Sequence, residues 1–172
     1  YNGDYFTPGS PENGWGIEID TAKYSNNGSN FGADAIVGAL RNYVDNDNCL
    51  SIDWEGDVAS SGFDISVKLQ YRLLKNETFY TTRVRIINND VVDADSVYYY
   101  RNIDPDHNQL IGWGFVTNNT INCQGDEICG IARVTATQVN AWTAEYILEA
   151  EGEDWRAAYG GFLNRDGVAL WN

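Results

Sequence analysis

Apolar and polar residues alternate along the chain with a period of two, most clearly over residues 64–74. This pattern predicts a long β-strand with one buried and one solvated face. A second strand-like run, 79–87, follows the short polar segment 75–77, so the two strands are predicted to form an antiparallel hairpin. We expect the apolar face of this hairpin to be buried, namely Ile65, Val67, Leu69, Tyr71, Val84 and Ile86.

Further strand-like runs recur along the chain, separated by segments rich in Asn, Asp and Gly. Strands at spacings of about ten residues with turn residues between them are typical of an all-β fold. We therefore predict one antiparallel β-sandwich domain over residues 1–172, immunoglobulin-like or larger. The best helix candidate, 141–151, has an aromatic and β-branched content that fits a strand equally well. The other predicted strands are 15–19, 35–43, 50–54, 96–101, 110–116, 131–139, 142–148, 157–162 and 168–171.

The last predicted strand, 168–171, lies at the end of the sequence, where a domain usually becomes polar. The sequence also contains no methionine. We therefore expect the chain to be a processed product or a piece of a longer protein, with its sandwich truncated at the C-terminus.

The net charge of the chain limits the classes of molecule that it is expected to bind. The chain has 25 acidic and 11 basic side chains, for a net charge of −14, which argues against binding nucleic acid phosphates or an anionic membrane surface. No apolar run approaches the roughly 18 residues that a membrane helix needs, so membrane insertion is not expected. Few lysines and many Asn, Asp, Gly, Tyr and Trp residues favour an extracellular protein, either secreted or on the cell surface.

Cysteine and asparagine residues add candidate covalent features. Cys123 and Cys129 bracket a short polar loop that a local disulfide would close, which leaves Cys49 unpaired; three inert thiols are the alternative. Three sequons are present, at Asn27, Asn76 and Asn118, a number that chance explains in a chain with 19 asparagines. Asn76 lies at the tip of the predicted hairpin, where a glycan would be tolerated.

Two clusters of oxygen-bearing side chains are candidate calcium sites. One contains Asp104, Asp106 and Asn108, and the other contains Asp45 and Asp47. Calcium binds six to eight carboxylate, amide and backbone oxygens, although neither cluster has the EF-hand spacing. Ordinary turns stabilised by Asp and Asn side chains are the alternative. The sequence contains no cluster of cysteine and histidine residues of the kind that binds zinc.

The chain also contains 6 Trp and 11 Tyr, whose rings can stack on sugars. Trp113 and Trp15 are each bracketed by glycines that would leave the indole accessible, and Tyr99 is a third candidate ring. A role in the hydrophobic core is the alternative, and it is the commoner one for tryptophan.

Catalysis is the less favoured interpretation. Glu55 and Asp57 beside Trp54, or Asp104, Asp106 and His107, would supply an acid–base pair for glycoside cleavage if their carboxyl groups lay roughly 5–9.5 Å apart. The sequence has no nucleophile elbow, phosphate-binding loop or metalloprotease motif.

Several short motifs resemble a module of large secreted and cell-surface proteins. A strand ending in Asn (81–89) precedes a Y-x-R-x-x-D-P-D turn (99–106) and a later T-N-N (117–119). Segments 159–166 and 6–14 are also similar to that module. The resemblance implies a β-sandwich used for adhesion or architecture, and the module runs further past segment 164–166 than this chain does.

The sequence therefore favours a structural or adhesive surface module, possessing no catalytic residues and acting as a subunit of a filament or multi-domain assembly. Self-association, or addition of a strand from another chain at 1–6 or 168–171, is the expected contact. A carbohydrate-binding, lectin-like module is the alternative, and a glycosidase-like enzyme is the third interpretation.

Overall fold

A computed structural model describes residues 13–26, 33–60, 62–103, 117–125, 130–138, 146–151, 155–159 and 166–171. Within these ranges the chain is mostly β-strand, as predicted. The elements are β1 (Asn13–Ile19), β2 (Ala22–Ser25), β3 (Asp34–Ala35), β4 (Val37–Asp45), β5 (Cys49–Ser60), β6 (Phe63–Leu74), β7 (Tyr80–Asn88), β8 (Val97–Ile103), β9 (Thr117–Gln124), β10 (Ile131–Gln138), β11 (Tyr146–Glu151) and a short helix, α1 (Gly167–Trp171).

The described strands form three sheets, in the orders β3-β2-β1-β8, β4-β5-β6-β7 and β11-β10-β9. The last two sheets are antiparallel throughout, but β2 and β3 pair in parallel through Tyr24 and Ser25, an exception to the predicted antiparallel fold. Contacts divide the chain into two compact units, Glu18–Val97 and Tyr1–Ile17 with Tyr98–Asn172. The sandwich arrangement and the single domain stay predictions.

The predicted hairpin is confirmed as β6 and β7, which pair antiparallel from Ile65 opposite Asn88 to Leu73 opposite Tyr80. In the turn, the Glu77 N–H donates to the Leu74 carbonyl at 2.9 Å. Three of the six residues predicted to be buried are buried, namely Ile65, Val67 and Leu69. The other three, Tyr71, Val84 and Ile86, are only half-buried.

A β-bulge shapes the opposite edge of the same sheet. Leu40 pairs with Trp54 and Tyr43 pairs with Ile52, with a register shift around Arg41. Because side chains directly opposite each other share a face, the extra residue places Leu40 and Tyr43 on one face although they are three positions apart. A strict period of two would have put them on opposite faces.

The other unit contains the sheet β9-β10-β11. Strand β9 was not predicted, because its Asn and Thr residues favour a loop. Its last residue, Gln124, orients the segment 155–159: the side chain donates to the Ala157 carbonyl at 3.0 Å and accepts from the Ala157 N–H at 2.8 Å. Residues 157–159 are not a strand, contrary to the prediction for 157–162.

The predicted C-terminal strand 168–171 is wrong, because these residues belong to α1. Asp166 caps the helix: its carboxylate accepts from the Ala169 N–H at 2.9 Å, and its carbonyl accepts from the Leu170 N–H at 3.0 Å. An N-cap that satisfies these otherwise unpaired N–H groups favours a helical turn over an extended run.

Candidate binding surfaces

One face of the sheet β4-β5-β6-β7 is mainly apolar but buried at only one end. At that end Val58 and Ile65 pair directly, and both are buried. At the other end Tyr43 is 56% exposed, and Leu40, in the row of Trp54 on the edge strand, is 58% exposed. We call this more exposed part the apolar surface, defined by Leu40, Tyr43, Ile52, Tyr71 and Tyr80.

The register of the strands brings the rings of the apolar surface together. Tyr43 pairs with Ile52, which in turn pairs with Tyr71, so these side chains form one row across three strands. Tyr71 and Tyr80 lie in neighbouring rows with ring centroids 6.2 Å apart and planes tilted by 42°. The result is a mainly aromatic and aliphatic patch, with Thr82 opposite Tyr71 at the β7 side.

Trp54 marks the boundary between the buried end and the apolar surface. Gly38 and Gly56 are paired on adjacent strands, and the Trp54 indole covers both. A Cβ atom at Gly56 would overlap this ring and lie 2.9 Å from the Val37 carbonyl oxygen. Because neither glycine has a side chain, the indole can lie directly against the backbone of both strands.

Strand β4 forms one edge of this sheet, with β5 as its neighbour. All nine of its residues are exposed, including the apolar Val37 and Val44. An exposed apolar edge strand presents backbone N–H and C=O groups on its outer side and is a template for pairing with another strand.

The opposite face of the sheet is polar, and three of its acidic residues lie along β5. Asp53 accepts from Gln70 at 2.9 Å and from Asn42 at 3.1 Å, and Asp57 accepts from Ser66 at 2.9 Å. Glu55 forms ion pairs with Lys68 at 2.7 Å and Arg41 at 3.3 Å. The hydrogen bond from Lys68 is the main reason that the pKa of Glu55 lies below its usual value.

Three arginines on the same polar face have a different environment. Arg72 lies on β6, whereas Arg83 and Arg85 lie on β7, and all three are exposed. None has a carboxylate partner among the residues that the structure describes. We call them the arginine cluster.

A shallow cleft of about 190 Å³ adjoins the arginine cluster at the end of the β6–β7 hairpin. Arg72 and Thr81 pair across the two strands within it, and the exposed ring of Phe79 forms part of its wall. Leu74 and Glu77 complete the lining. The cleft thus combines a cation, an aromatic ring, a hydroxyl and a carboxylate.

The residues considered for glycoside cleavage are placed as follows. Glu55 and Asp57 share the polar face, whereas strand alternation places Trp54 on the apolar face. A general acid needs a raised pKa, but the pKa of Glu55 is lowered. Asp104, Asp106 and His107 lie outside the described residues.

For the candidate calcium residues, the structure describes the cluster at Asp45 and Asp47. The Asp45 carboxylate accepts from Lys75 at 2.6 Å, and this hydrogen bond lowers its pKa. Asn46 accepts from the N–H groups of Asn48 and Cys49, both at 3.0 Å, which is the turn that Asn and Asp form without a metal.

No group of three or more His, Cys, Asp or Glu residues that would hold a metal occurs in the described part of the chain. Asp104, Asp106 and Asn108 lie outside it. Calcium stays a prediction, which a lower melting temperature in the presence of a chelator would support.

Trp15 and Tyr99, two of the candidate sugar-stacking residues, belong to an aromatic cluster. Trp15 is only 4% exposed and stacks on Tyr99 with ring centroids 6.2 Å apart. Trp155 and Tyr99 form a T-shaped pair with ring centroids 6.3 Å apart. Trp15 therefore follows the core interpretation of the sequence, and the third candidate, Trp113, lies outside the described residues.

The cysteines and sequons are placed as follows. Cys49 is a free thiol, whereas Cys123 belongs to a disulfide. Its predicted partner, Cys129, lies outside the described residues, so the pairing stays a prediction. Asn76 is exposed in the β6–β7 turn, Asn118 is exposed on β9, and Asn27 is not among the described residues.

The apolar surface and the arginine cluster were both missed as sites by sequence reasoning. The apolar surface is not visible in the sequence pattern, because the bulge at Arg41 places Leu40 and Tyr43 on one face although they are three positions apart. The arginine cluster had a readable signal: Arg72, Arg83 and Arg85 all occupy polar positions of the predicted hairpin.

Comparison of the chain with protein-family models, with curated proteins and with solved structures finds no match. Among the helices of the described residues, none has the length and apolar character needed to span a membrane.

Proposed function

We propose that the chain is a structural or adhesive module of an extracellular surface assembly, and that its contact surface is β4 together with the apolar surface. In this proposal the sheets pack as a β-sandwich, and a disulfide between Cys123 and Cys129 closes the loop after β9. The observation that carries the proposal is the exposure of all nine residues of the edge strand β4. Soluble proteins usually cover or charge such an edge, and β4 has mainly apolar residues at its exposed positions.

The occupant we propose is the β4 strand of a second copy. Antiparallel pairing of two β4 strands about a two-fold axis satisfies the outer backbone groups of both and joins the two apolar surfaces into one. A net charge of −14 on each copy opposes this approach. Because salt screens that repulsion while leaving apolar burial intact, association should strengthen as ionic strength rises.

Sedimentation velocity at increasing salt and protein concentration tests this contact. The wild-type chain is expected to form a dimer more readily at high salt, and the double variant L40K/V44K should abolish association. The control matched in charge is V91K/V92K, since Val91 and Val92 are 98% and 60% exposed but lie outside the strands. A wild-type monomer under every condition, or equal loss of association in V91K/V92K, would contradict the proposed contact.

Carbohydrate binding is the second candidate function, because the register brings the rings of the apolar surface together on one face of the sheet. Tyr43 is highly exposed, and Tyr71 is in the same row of the sheet. Aromatic faces of this kind stack on the apolar faces of sugar rings. Quenching or enhancement of intrinsic fluorescence by neutral oligosaccharides, lost in Y43A but retained in Y159A, would favour this function. Tyr159 is a suitable control because it is 58% exposed in the other unit.

A further inference from the structure

The basic residues of the polar sheet face divide into two groups. Lys68 and Arg41 both form ion pairs with Glu55. The three members of the arginine cluster have no such partner in the described ranges, although the chain has 25 acidic residues to supply one. The cluster is therefore a local positive region on a strongly negative protein.

The geometry of the hairpin sets the spacing within the arginine cluster. Arg83 and Arg85 are two positions apart on β7, so both project to the same side, about 7 Å apart along the strand. Thr81 is opposite Arg72, which makes Arg83 the diagonal neighbour of Arg72 at about 7–8 Å. Guanidinium groups at this spacing can converge on one anionic group, which each binds through paired N–H donors.

Charges on an edge strand have a second known use, since they prevent edge-to-edge aggregation. This explains Arg83 and Arg85 on β7, but it does not explain Arg72. Arg72 is on β6, an inner strand of the sheet, where it lines the cleft. A charged side chain without a partner beside an exposed aromatic ring, Phe79, indicates a ligand that has both an anionic group and an apolar face.

We propose that the cleft and the arginine cluster bind an acidic sugar unit of a polysaccharide, through its carboxylate or sulfate group. Arg72 and Arg83 hold the anionic group, the Phe79 ring stacks on the apolar face of the sugar, and Thr81 and Glu77 hydrogen-bond to ring hydroxyls. The small volume of the cleft and the net charge of −14 favour recognition of a single acidic unit over a densely charged polymer such as nucleic acid. The site is on the opposite face from the apolar surface, so it is independent of the function proposed above.

Isothermal titration calorimetry with three oligosaccharides tests the site: tetragalacturonate, a sulfated carrageenan tetrasaccharide and neutral galactotetraose. The wild-type chain should bind at least one acidic probe at least about tenfold more tightly than the neutral one. The acidic probe that binds more tightly identifies the group as carboxylate or sulfate. If neither acidic probe binds, or if the neutral probe binds equally well, the proposal is overturned.

Variants locate the site and separate it from a general charge effect. R72Q and R83Q should each weaken binding about tenfold, since each removes charge-assisted hydrogen bonds. E77Q should tighten binding, because it removes a negative charge from the cleft but keeps an acceptor. R41Q is the matched control: it removes the same charge from β4, at the other edge of the sheet, and should change affinity little.

Equal weakening by R41Q and R83Q would show that only net charge matters, and the site would be rejected. The same holds if R72Q and R83Q leave affinity unchanged. All of these side chains are exposed, so the thermal unfolding midpoint of each variant is expected to match that of the wild-type chain and will show that loss of binding is not loss of folding.

Discussion

The two ends of the sheet β4-β5-β6-β7 are built from the same strands but have different environments. At one end Val58, Ile65 and Val67 are 2%, 1% and 0% exposed. At the other end of the same face, Tyr43 is 56% exposed and Ile52 is 37% exposed. Hydrophobic residues therefore make up most of the face, but only part of it contributes burial to stability.

The difference shows what a period of two does and does not determine. Alternation assigns each residue to a face, because successive side chains project to opposite sides of a strand. Coverage of that face depends on what packs against it, which is a property of the tertiary fold. Apolar residues left uncovered at one end of a regular sheet therefore favour a binding role for that end.

The largest expected effect comes from truncating one leucine on an inner strand and one on the edge strand of the same row, in which Leu40 pairs with Trp54 and Trp54 pairs with Leu69. L69A removes a fully buried side chain and should lower the free energy of unfolding by about 2–5 kcal/mol. L40A removes a side chain that is mostly exposed and should cost less than about 1 kcal/mol. Urea denaturation of both variants measures the difference, and equal losses would show that the face is covered as fully at β4 as at β6 in solution.

The sequence predicts those features of this sheet that depend on residues close together in the chain, but not those that depend on distant contacts. The hairpin of β6 and β7 follows from the alternation starting at Ile65 and from the polar turn before Phe79, which are both local signals. The half-burial of Tyr71 is not local, because it depends on coverage of the sheet.

The difference between local and distant interactions also explains the wrong prediction at 168–171 and the missed strand β9. The run after Gly167 is apolar and strand-like, but the Asp166 side chain caps a helical turn there and favours the helix. Strand β9 has the composition of a loop and is held by pairing with β10, for example Asn119 with Ala136. Pairing with a distant partner is not visible in the composition of either segment.

The second prediction concerns the boundary at Trp54. G56A adds a methyl group against the indole and the Val37 carbonyl oxygen, so the ring must move and the paired strands must adjust. We expect the free energy of unfolding to fall by about 1–3 kcal/mol and the tryptophan fluorescence to change. S51A, on the same strand but the opposite face, is the control and should have little effect. An unchanged stability in G56A would mean that the indole does not rest on the glycines in solution.

A smaller effect is expected at the turn that ends the uncovered part of the sheet. Asn46 accepts two backbone hydrogen bonds, from Asn48 and Cys49, so N46A should lower the free energy of unfolding by about 0.5–1.5 kcal/mol. The comparison is N76A in the β6–β7 turn, where the structure gives the Asn76 side chain no hydrogen-bond partner within the described residues. Denaturant midpoints that fall equally in both variants would contradict the role assigned to Asn46.

The smallest predicted effect is a shift in titration on the polar face. Because Lys68 holds the pKa of Glu55 below its ordinary value of 4.5, the folded state favours the ionised carboxylate. This pair therefore stabilises the fold at pH values above 4.5, and its contribution is lost as the pH falls through the lowered pKa of the folded state.

K68Q should therefore raise the pKa of Glu55 towards its ordinary value and reduce the acid dependence of stability between the two pKa values. Carboxyl chemical shifts followed by NMR during an acid titration measure the shift directly, and K75Q, which instead frees Asp45, is the matched control at the uncovered end of the sheet. A Glu55 titration that is identical in the wild-type chain and in K68Q would show that the ion pair is not formed in solution. In that case Lys68 would join the arginine cluster as a cation without a partner, and the positive region of the polar face would extend towards β5.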